Sequence, residues 1–424
     1  MSIEKYYKYS TDELMEVIDV FNVSGETQNK IKDLLDSDSQ TPNAGNFFRY
    51  YNPRSKCEEL EKDIREKIGC EHALTVNSGT SALIAALVAA NIGPGDEVIV
   101  PAYTFFASVS SIVVAHAIPV ICEINESLTI DPEAIEKCIT KKTKAIMPVH
   151  MIGHPCEMDK ICEIAAKYNL IVIEDTAQAF GGKYKGKYLG TWGDLGCVSL
   201  DAYKVIGTGE GGIVMTDDEW LYIRAQSYHD AAACWRPDRY AKERKEGELF
   251  CGENYRMPEL CAAVGIAQMR KLDWINERTR EIYFALKAAI KLPSCAKWVE
   301  PNDADGICGY TLGMLFENSE QAAKAITGAG LGGLAAAETR GVRDWHVYWN
   351  WEHIMEQKTV TAEGYPFTCP LVENLPHYHK DMCPKTKNIM LRLATIGISP
   401  DLDSNWVAEK AAEINSKFKE IFGE

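Results

Sequence analysis

The strongest constraint on the fold is an alternation of helical and strand patterns that runs from about residue 46 to residue 216. The helical stretches, such as 57–68 and 158–168, carry apolar residues on one face. The strands between them are short, and strands such as Leu170–Glu174 are apolar on both faces. Strands of this kind are covered by helices on both sides, so the pattern predicts an α/β domain with a mainly parallel sheet.

The pattern of helical and strand segments changes twice along the 424 residues, and these changes divide the chain into three parts. Residues 1–45 are predicted to form an N-terminal helical segment, and residues 46–290 a large α/β domain. Residues 291–424 are predicted to form a smaller C-terminal α+β domain, because a strand pattern near Tyr310–Phe316 and a helical pattern over Ser404–Phe422 follow without regular alternation.

Composition limits the partners and the location of the protein. The 61 acidic residues outnumber the 45 basic ones and leave a net charge of −16, which argues against nucleic acid and against an anionic membrane surface. The N-terminus lacks the apolar core of a signal peptide, and the apolar runs are too short to span a membrane, so we expect a cytoplasmic protein. The 14 cysteines are scattered and form no C-x-x-C pair, so no metal site is predicted.

Ligands of parallel sheets bind beyond the carboxyl ends of the strands. The loops that follow the predicted strands are therefore the candidates for ligand binding. The first such loop follows the predicted strand 72–76 and contains Ser78, Gly79 and Thr80. Small and hydroxyl-bearing residues at a helix start leave backbone N–H groups open to an anion, so the loop is a candidate phosphate cradle. A capped helix start without a ligand is the alternative, and the spacing is not that of a nucleotide-binding P-loop.

Two further loops carry an acid and a lysine. Asp175 ends a predicted strand, where a carboxylate can hold a protonated ring nitrogen or cap a helix. Lys204 lies between an apolar strand that contains Ser199 and the glycine-dense turn 207–212, where a lysine can form a Schiff base or can simply be exposed. Ser199 could donate to a phosphate. Cradle, acid and lysine in this order predict a site for pyridoxal 5'-phosphate.

The segments NSGTSAL, GDEVIVPAYTFFAS, EDTAQAFGGKYKGKYLGTWGDLGCVSL, GEGG and GENYRMPELCAAVGIAQ occur in this order between residues 46 and 275. On these segments the chain resembles the DegT/DnrJ/EryC1/StrS family of sugar aminotransferases. The resemblance implies the aspartate-aminotransferase-like fold, which is fold type I of the pyridoxal phosphate enzymes. It also implies a homodimer with shared active sites.

The resemblance assigns a role to each matching position. Lys204 would bind the cofactor as a Schiff base, and Asp175 would pair with its ring nitrogen. Gln178 would lie beside the phenolic oxygen, and Phe105 would stack on the ring. The phosphate would be held by the residues of the cradle and its neighbours, with one ligand from the second subunit of the dimer: Ser78, Gly79, Thr80, Ser199 and, from the second subunit, Asn254.

The segments FRYYNPRSKCEELE, SLDAYK and PKTKNIMLRLATIGI resemble one branch of the family. That branch includes the transaminase that makes 8-amino-3,8-dideoxy-manno-octulosonate, a lipopolysaccharide sugar, with glutamate or glutamine as the amino donor. An aminotransferase for a cyclitol (inosose) or a nucleotide-linked keto-sugar is the alternative. A sugar dehydratase on the same scaffold is disfavoured because Lys204 is present, and a regulatory protein is disfavoured by the acidic charge.

Three residues outside the cofactor loops are candidate substrate ligands. His346 lies among tryptophans and could contact a sugar, although a core or dimer-interface role fits this composition equally well. Arg236 and Arg239 could bind a substrate carboxylate. His150 and His154, near a strand end, are interpreted as hydrogen-bonding groups rather than metal ligands.

Overall fold

The computed structural model describes residues 10–38, 55–231, 245–336 and 343–423. The α-helices within these ranges are α1 Thr11–Asp19, α2 Gly25–Ser37, α3 Lys56–Ile68, α4 Gly79–Ala89, α5 Phe106–Val114, α6 Pro132–Cys138, α7 Met158–Tyr168, α8 Glu219–His229, α9 Glu259–Met269, α10 Leu272–Ala289, α11 Ser319–Ala329, α12 Glu352–Met355, α13 Pro384–Arg392 and α14 Ser404–Phe422. No helix in these ranges is long and apolar enough to cross a membrane.

The strands form a large and a small sheet together with a two-stranded ribbon. Their bounds are β1 His72–Val76, β2 Glu97–Pro101, β3 Ile118–Cys122, β4 Thr143–Ile146, β5 Ile171–Asp175, β6 Lys183–Tyr184, β7 Lys187–Tyr188, β8 Leu195–Ser199, β9 Gly212–Thr216, β10 Ala296–Trp298, β11 Thr311–Phe316 and β12 Leu393–Gly397.

The large sheet has seven strands in the order β1-β9-β8-β5-β4-β2-β3. Strands β3, β2, β4, β5 and β8 pair in parallel, and β9 pairs antiparallel with both β8 and β1. All strands except β9 therefore run in the same direction, and their carboxyl ends meet at one edge. The mainly parallel α/β sheet predicted from the sequence is confirmed.

Helix α4 shows how the sheet positions its loops. Its residues from Ser81 to Leu87 are all buried, because α4 packs on β8 and β9 on one side and against α5 and α8 on the others. A helix that is apolar all round must be enclosed in this way. The enclosure holds the N-terminus of α4, at Gly79, against the carboxyl edge of the large sheet.

The small sheet, β10-β11-β12, is antiparallel and lies against α10, α11 and α13. Helix α10, which precedes residue 291, contributes Ile282 and Leu286 to this second core. Conversely, Tyr348 and Trp351 from the C-terminal part are fully buried in the core of the large sheet. The division at residue 290 therefore stays a prediction, because side chains from each predicted part pack in the core of the other.

Candidate active site

A cavity of about 440 Å³, here called the inner cavity, lies at the carboxyl edge of the large sheet. The loops after β1, β2, β5 and β8 open into it. The sequence-predicted residues that line it are Ser78, Gly79, Thr80, Phe105, Asp175, Gln178, Ser199, Lys204 and His346. The structure thus brings together residues that are separated by up to 268 positions in the chain.

The candidate phosphate cradle is the first turn of α4. The Ser78 hydroxyl accepts the N–H of Ser81 at 3.0 Å, which starts the helix. The N–H groups of Gly79 and Thr80 belong to the first turn, so they have no acceptor within the helix. Together with the helix dipole, they form a site that suits a phosphate.

Gly79 is required at this position because Ser199 approaches it closely. A Cβ at Gly79 would lie 2.6 Å from the Cβ of Ser199, at the end of β8. The glycine therefore allows the hydroxyl of Ser199 to stand beside the helix N-terminus. The two chain segments form one cradle, which fits the phosphate end of pyridoxal phosphate.

We expect Gly79→Ala to weaken cofactor binding by at least about tenfold, because the added methyl group forces Ser199 and the helix start apart and overpacking costs about 1–3 kcal/mol. Gly25→Ala is the matched control, since Gly25 is likewise the first residue of a helix and a Cβ there meets nothing within 4 Å. Cofactor titration followed by absorbance measures both variants. Equal affinity for Gly79→Ala and the wild-type protein would contradict the cradle.

Asp175 lies at the floor of the inner cavity and is only 4% exposed. Its carboxylate accepts the Ser108 hydroxyl at 2.7 Å and the Ala177 N–H at 3.0 Å. No ion pair joins it to a basic side chain in the described part of the chain. Burial raises the pKa of Asp175, and the two hydrogen bonds only partly oppose this effect. A protonated ring nitrogen would supply the missing positive charge.

Lys204 and Phe105 face each other across the inner cavity. The Lys204 Nζ lies 6.0 Å from the centroid of the Phe105 ring, and Phe105 is 46% exposed, so the ring is open to a ligand. The turn that carries Lys204 is closed by its backbone N–H, which donates to the Asp201 carbonyl at 3.0 Å. No carboxylate of the described residues forms an ion pair with the lysine, which leaves its amine available for chemistry.

The side chain of Gln178 is oriented by Tyr310, which directly precedes β11 of the small sheet. Its Oε1 accepts the Ile152 N–H at 3.0 Å and the Tyr310 hydroxyl at 3.2 Å. The amide nitrogen is thereby left for a ligand. Sequence reasoning missed Tyr310 and Ser108 as supporting residues; a hydroxyl three positions after Phe105 was the one available signal for Ser108.

The remaining predicted residues are not all in the cavity. Asn254 is exposed and does not line it, so its role toward a second subunit stays a prediction. Arg236 and Arg239 lie outside the described residues. His150 contacts Glu174 at 3.1 Å and is fully buried, which is a hydrogen-bonding arrangement. No group of three or more metal-binding side chains occurs among the residues described above.

His346 reaches the cavity through backbone pairing. The Thr104 N–H, in the loop after β2, donates to the His346 carbonyl at 2.9 Å, and Tyr103 forms a bridge with Val347. This pairing places the His346 ring 5.4 Å from the Phe105 ring. Trp351, in contrast, is fully buried. His346 is therefore the member of this aromatic segment that faces the inner cavity.

Comparison with known proteins shows the family to which the chain belongs. Residues 44–327 match the DegT/DnrJ/EryC1/StrS aminotransferase family. A GDP-perosamine synthase from Escherichia coli is 41% identical over 262 residues, which are 62% of this chain and 67% of that protein. A spore coat polysaccharide biosynthesis protein from Bacillus subtilis is 40% identical over 233 residues, 54% of this chain and 59% of that protein. These alignments thus span about three fifths to two thirds of the relatives' length.

Solved structures extend the likeness to most of the chain. An aminotransferase from Psychrobacter cryohalolentis superposes with a TM-score of 0.72 at 29% identity, covering 89% of this chain and 95% of that one. A 3-amino-5-hydroxybenzoic acid synthase gives a TM-score of 0.69 at 25% identity, covering 86% and 91%. The predicted fold type I architecture is confirmed. The chain belongs to the DegT/DnrJ/EryC1/StrS aminotransferase family, and it is an aminotransferase that depends on pyridoxal phosphate.

Proposed function

We propose that the protein transfers an amino group from glutamate or glutamine to the C8 carbonyl of a 3-deoxy-octulosonate-type sugar acid that is oxidised at C8, and so forms 8-amino-3,8-dideoxy-manno-octulosonate. The observation that carries the aminotransferase chemistry is the convergence of cradle, buried carboxylate and lysine on the inner cavity. The sequence segments named above support the choice of sugar. Lipopolysaccharide synthesis is the process that such a product would serve.

Each residue of the inner cavity has a proposed task in holding the cofactor. The phosphate would be bound by the N–H groups of the α4 start and by the hydroxyls beside them. Asp175 would keep the ring nitrogen protonated, Phe105 would cover one face of the ring, and Gln178 would meet the phenolic oxygen through its amide nitrogen. Lys204 would bind the cofactor covalently. When bound, pyridoxal phosphate supplies the electron sink for amino transfer.

Lys204 also has a proposed task in moving protons. When it is not attached to the cofactor, the Lys204 Nζ would be a free amine with no ion pair to a described carboxylate. Such an amine can act as a general base that accepts the proton from the α-carbon of the amino donor. It can then act as a general acid that donates this proton.

A nucleotide-linked keto-sugar is the second candidate acceptor, because relatives of this chain are named GDP-perosamine synthases. The family match ends at residue 327, however, and His346, which lines the inner cavity, lies beyond it. The part of the chain that would face the acceptor is therefore not covered by that match. The homodimer and the cytoplasmic location stay predictions.

The acceptor is tested by running the reaction in reverse. The protein is incubated with 2-oxoglutarate and either 8-amino-3,8-dideoxy-manno-octulosonate or GDP-perosamine, and the glutamate formed is measured. We expect kcat/KM to be at least about tenfold higher for the octulosonate, a difference of about 1.4 kcal/mol. Glutamate from GDP-perosamine alone would establish the second candidate. No glutamate from either sugar, and no glutamine when 2-oxoglutaramate replaces 2-oxoglutarate, would overturn both acceptor assignments.

A further inference from the structure

A second cavity of about 490 Å³, here called the outer cavity, adjoins the inner one. The two cavities share Phe105 and His346, whose rings therefore stand where they meet. Arg343, Asp344 and Trp345 line the outer cavity as well. A molecule whose reacting end lay near Lys204 could extend past the two rings into this second space.

Asp344 holds His346 in one orientation. One carboxylate oxygen, Oδ1, accepts both the backbone N–H of His346 at 2.8 Å and its ring Nδ1–H at 2.7 Å. Burial opposes ionisation of Asp344, but these hydrogen bonds from His346 outweigh it and lower the pKa of the carboxyl. Because a carboxylate only accepts, Nδ1 carries the hydrogen.

This arrangement leaves the other ring nitrogen, Nε2, for a ligand. Within the described parts of the chain, no side chain or backbone group pairs with Nε2 of His346. The side chain is 36% exposed and lines both cavities. A histidine that served only to fill the core would be buried and have both nitrogens satisfied.

Arg343 and Trp345 provide the outer cavity with a positive charge and an aromatic face. The guanidinium of Arg343 lies 5.6 Å from the Trp345 ring and pairs with Glu352 at 2.7 Å. Both the arginine and the glutamate are partly exposed, so this pair contributes little and leaves donors for a second anion. Trp345 is 39% exposed and offers an apolar face. A cation beside an aromatic face suits a polyhydroxylated acid.

We propose that the outer cavity is the subsite for the distal, carboxylate-bearing part of the acceptor sugar, and that His346, positioned by Asp344, hydrogen-bonds a sugar hydroxyl through Nε2 where the two cavities meet. This inference rests on the proposed function and deepens it, because it names the residues that would select a sugar acid. His346 is a ligand of the substrate, and Asp344 is a positioning residue that acts through it.

The test compares His346→Gln, Asp344→Ala and a matched control, His379→Gln. His379 is exposed, lies in the same C-terminal part and also uses Nδ1 in a hydrogen bond, to the Asp381 N–H, but it lines neither cavity. Binding of 3-deoxy-manno-octulosonate to the holoenzyme is followed by tryptophan fluorescence. The reverse reaction of 8-amino-3,8-dideoxy-manno-octulosonate and the bleaching of the cofactor band by glutamate are measured in parallel.

We expect His346→Gln and Asp344→Ala to weaken sugar binding and raise KM for the amino sugar by about tenfold, as loss of one hydrogen bond to a ligand predicts. The reaction with glutamate should fall by less than the reaction with the amino sugar, and every property of His379→Gln should stay at the wild-type value. Wild-type affinity in both cavity variants, or equal losses with glutamate and sugar, would overturn the inference while leaving the proposed function standing. Failure of the wild-type protein to bind or convert the octulosonate would instead overturn the proposed function, and this inference with it.

Discussion

Lys204→Ala is expected to lower kcat by at least about 10⁴-fold, because it removes both the covalent attachment of the cofactor and the amine that moves the proton. The variant should also lack the visible absorption band of a lysine-bound cofactor. Its fold should persist, since the Lys204 side chain is only partly buried and forms no ion pair in the described structure. Steady-state kinetics, absorption spectra and a thermal melt measure these three properties.

Two further lysine variants separate covalent chemistry from charge. Lys204→Arg keeps a positive charge in the inner cavity but cannot attach the cofactor, so it should be as inactive as Lys204→Ala. Lys160→Ala removes a surface lysine whose ion pair, among the described residues, is with Glu157, and it should behave like the wild-type protein. Substantial activity in Lys204→Arg would show that Lys204 acts through its charge alone.

Asp175→Asn is expected to lower kcat by about 10²- to 10³-fold while the cofactor still binds. The substitution removes the negative charge that would keep the ring nitrogen protonated, but it preserves the shape of the side chain. Both neighbours can adapt, since the amide oxygen can accept the Ala177 N–H and the Ser108 hydroxyl can accept from the amide. The kinetics of the holoenzyme measure the effect, and wild-type kcat would contradict the assigned role.

The same substitution should have the opposite effect on the stability of the cofactor-free protein. Burial raises the pKa of Asp175 above its ordinary value of 3.8, so the native state favours the protonated form. The contribution of this group to stability is complete below pH 3.8 and is lost as pH rises through the native pKa. At pH 8, Asp175→Asn should therefore melt at a higher temperature than the wild-type protein.

The difference between these two melting temperatures should shrink as the pH is lowered toward about 4, where Asp175 becomes protonated in both the native and the unfolded state. Thermal melts of the two cofactor-free proteins across this range measure it. A wild-type protein that is more stable than Asp175→Asn at pH 8 would show that the buried carboxylate is compensated within the chain itself.

Local sequence signals were sufficient to predict which loops form the site. Asp175 is the last residue of a short apolar strand, Gly79 and Lys204 lie a few residues after two others, and parallel strands bring their carboxyl ends to one edge. The type of each residue then indicated its chemistry. The mainly parallel sheet and the cofactor class could be predicted in this way, because both follow from short-range patterns.

Contacts between distant parts of the chain could not be predicted. Tyr310 reaches Gln178 across 132 positions, and the pairing of Thr104 with His346 depends on how the C-terminal part packs on the large sheet. Nothing in the local sequence specifies such packing. For the same reason, composition alone could not distinguish His346, which faces the cavity, from Trp351, which is buried.

The attachment site of the cofactor tests the central claim most directly. The purified holoenzyme is treated with borohydride, which makes the bond between lysine and cofactor permanent, and the digested protein is mapped by mass spectrometry. We expect the cofactor mass on the peptide that contains Lys204 and on no other lysine. A label on a different lysine, or a holoenzyme that carries no reducible bond, would contradict the account of the inner cavity as the active site.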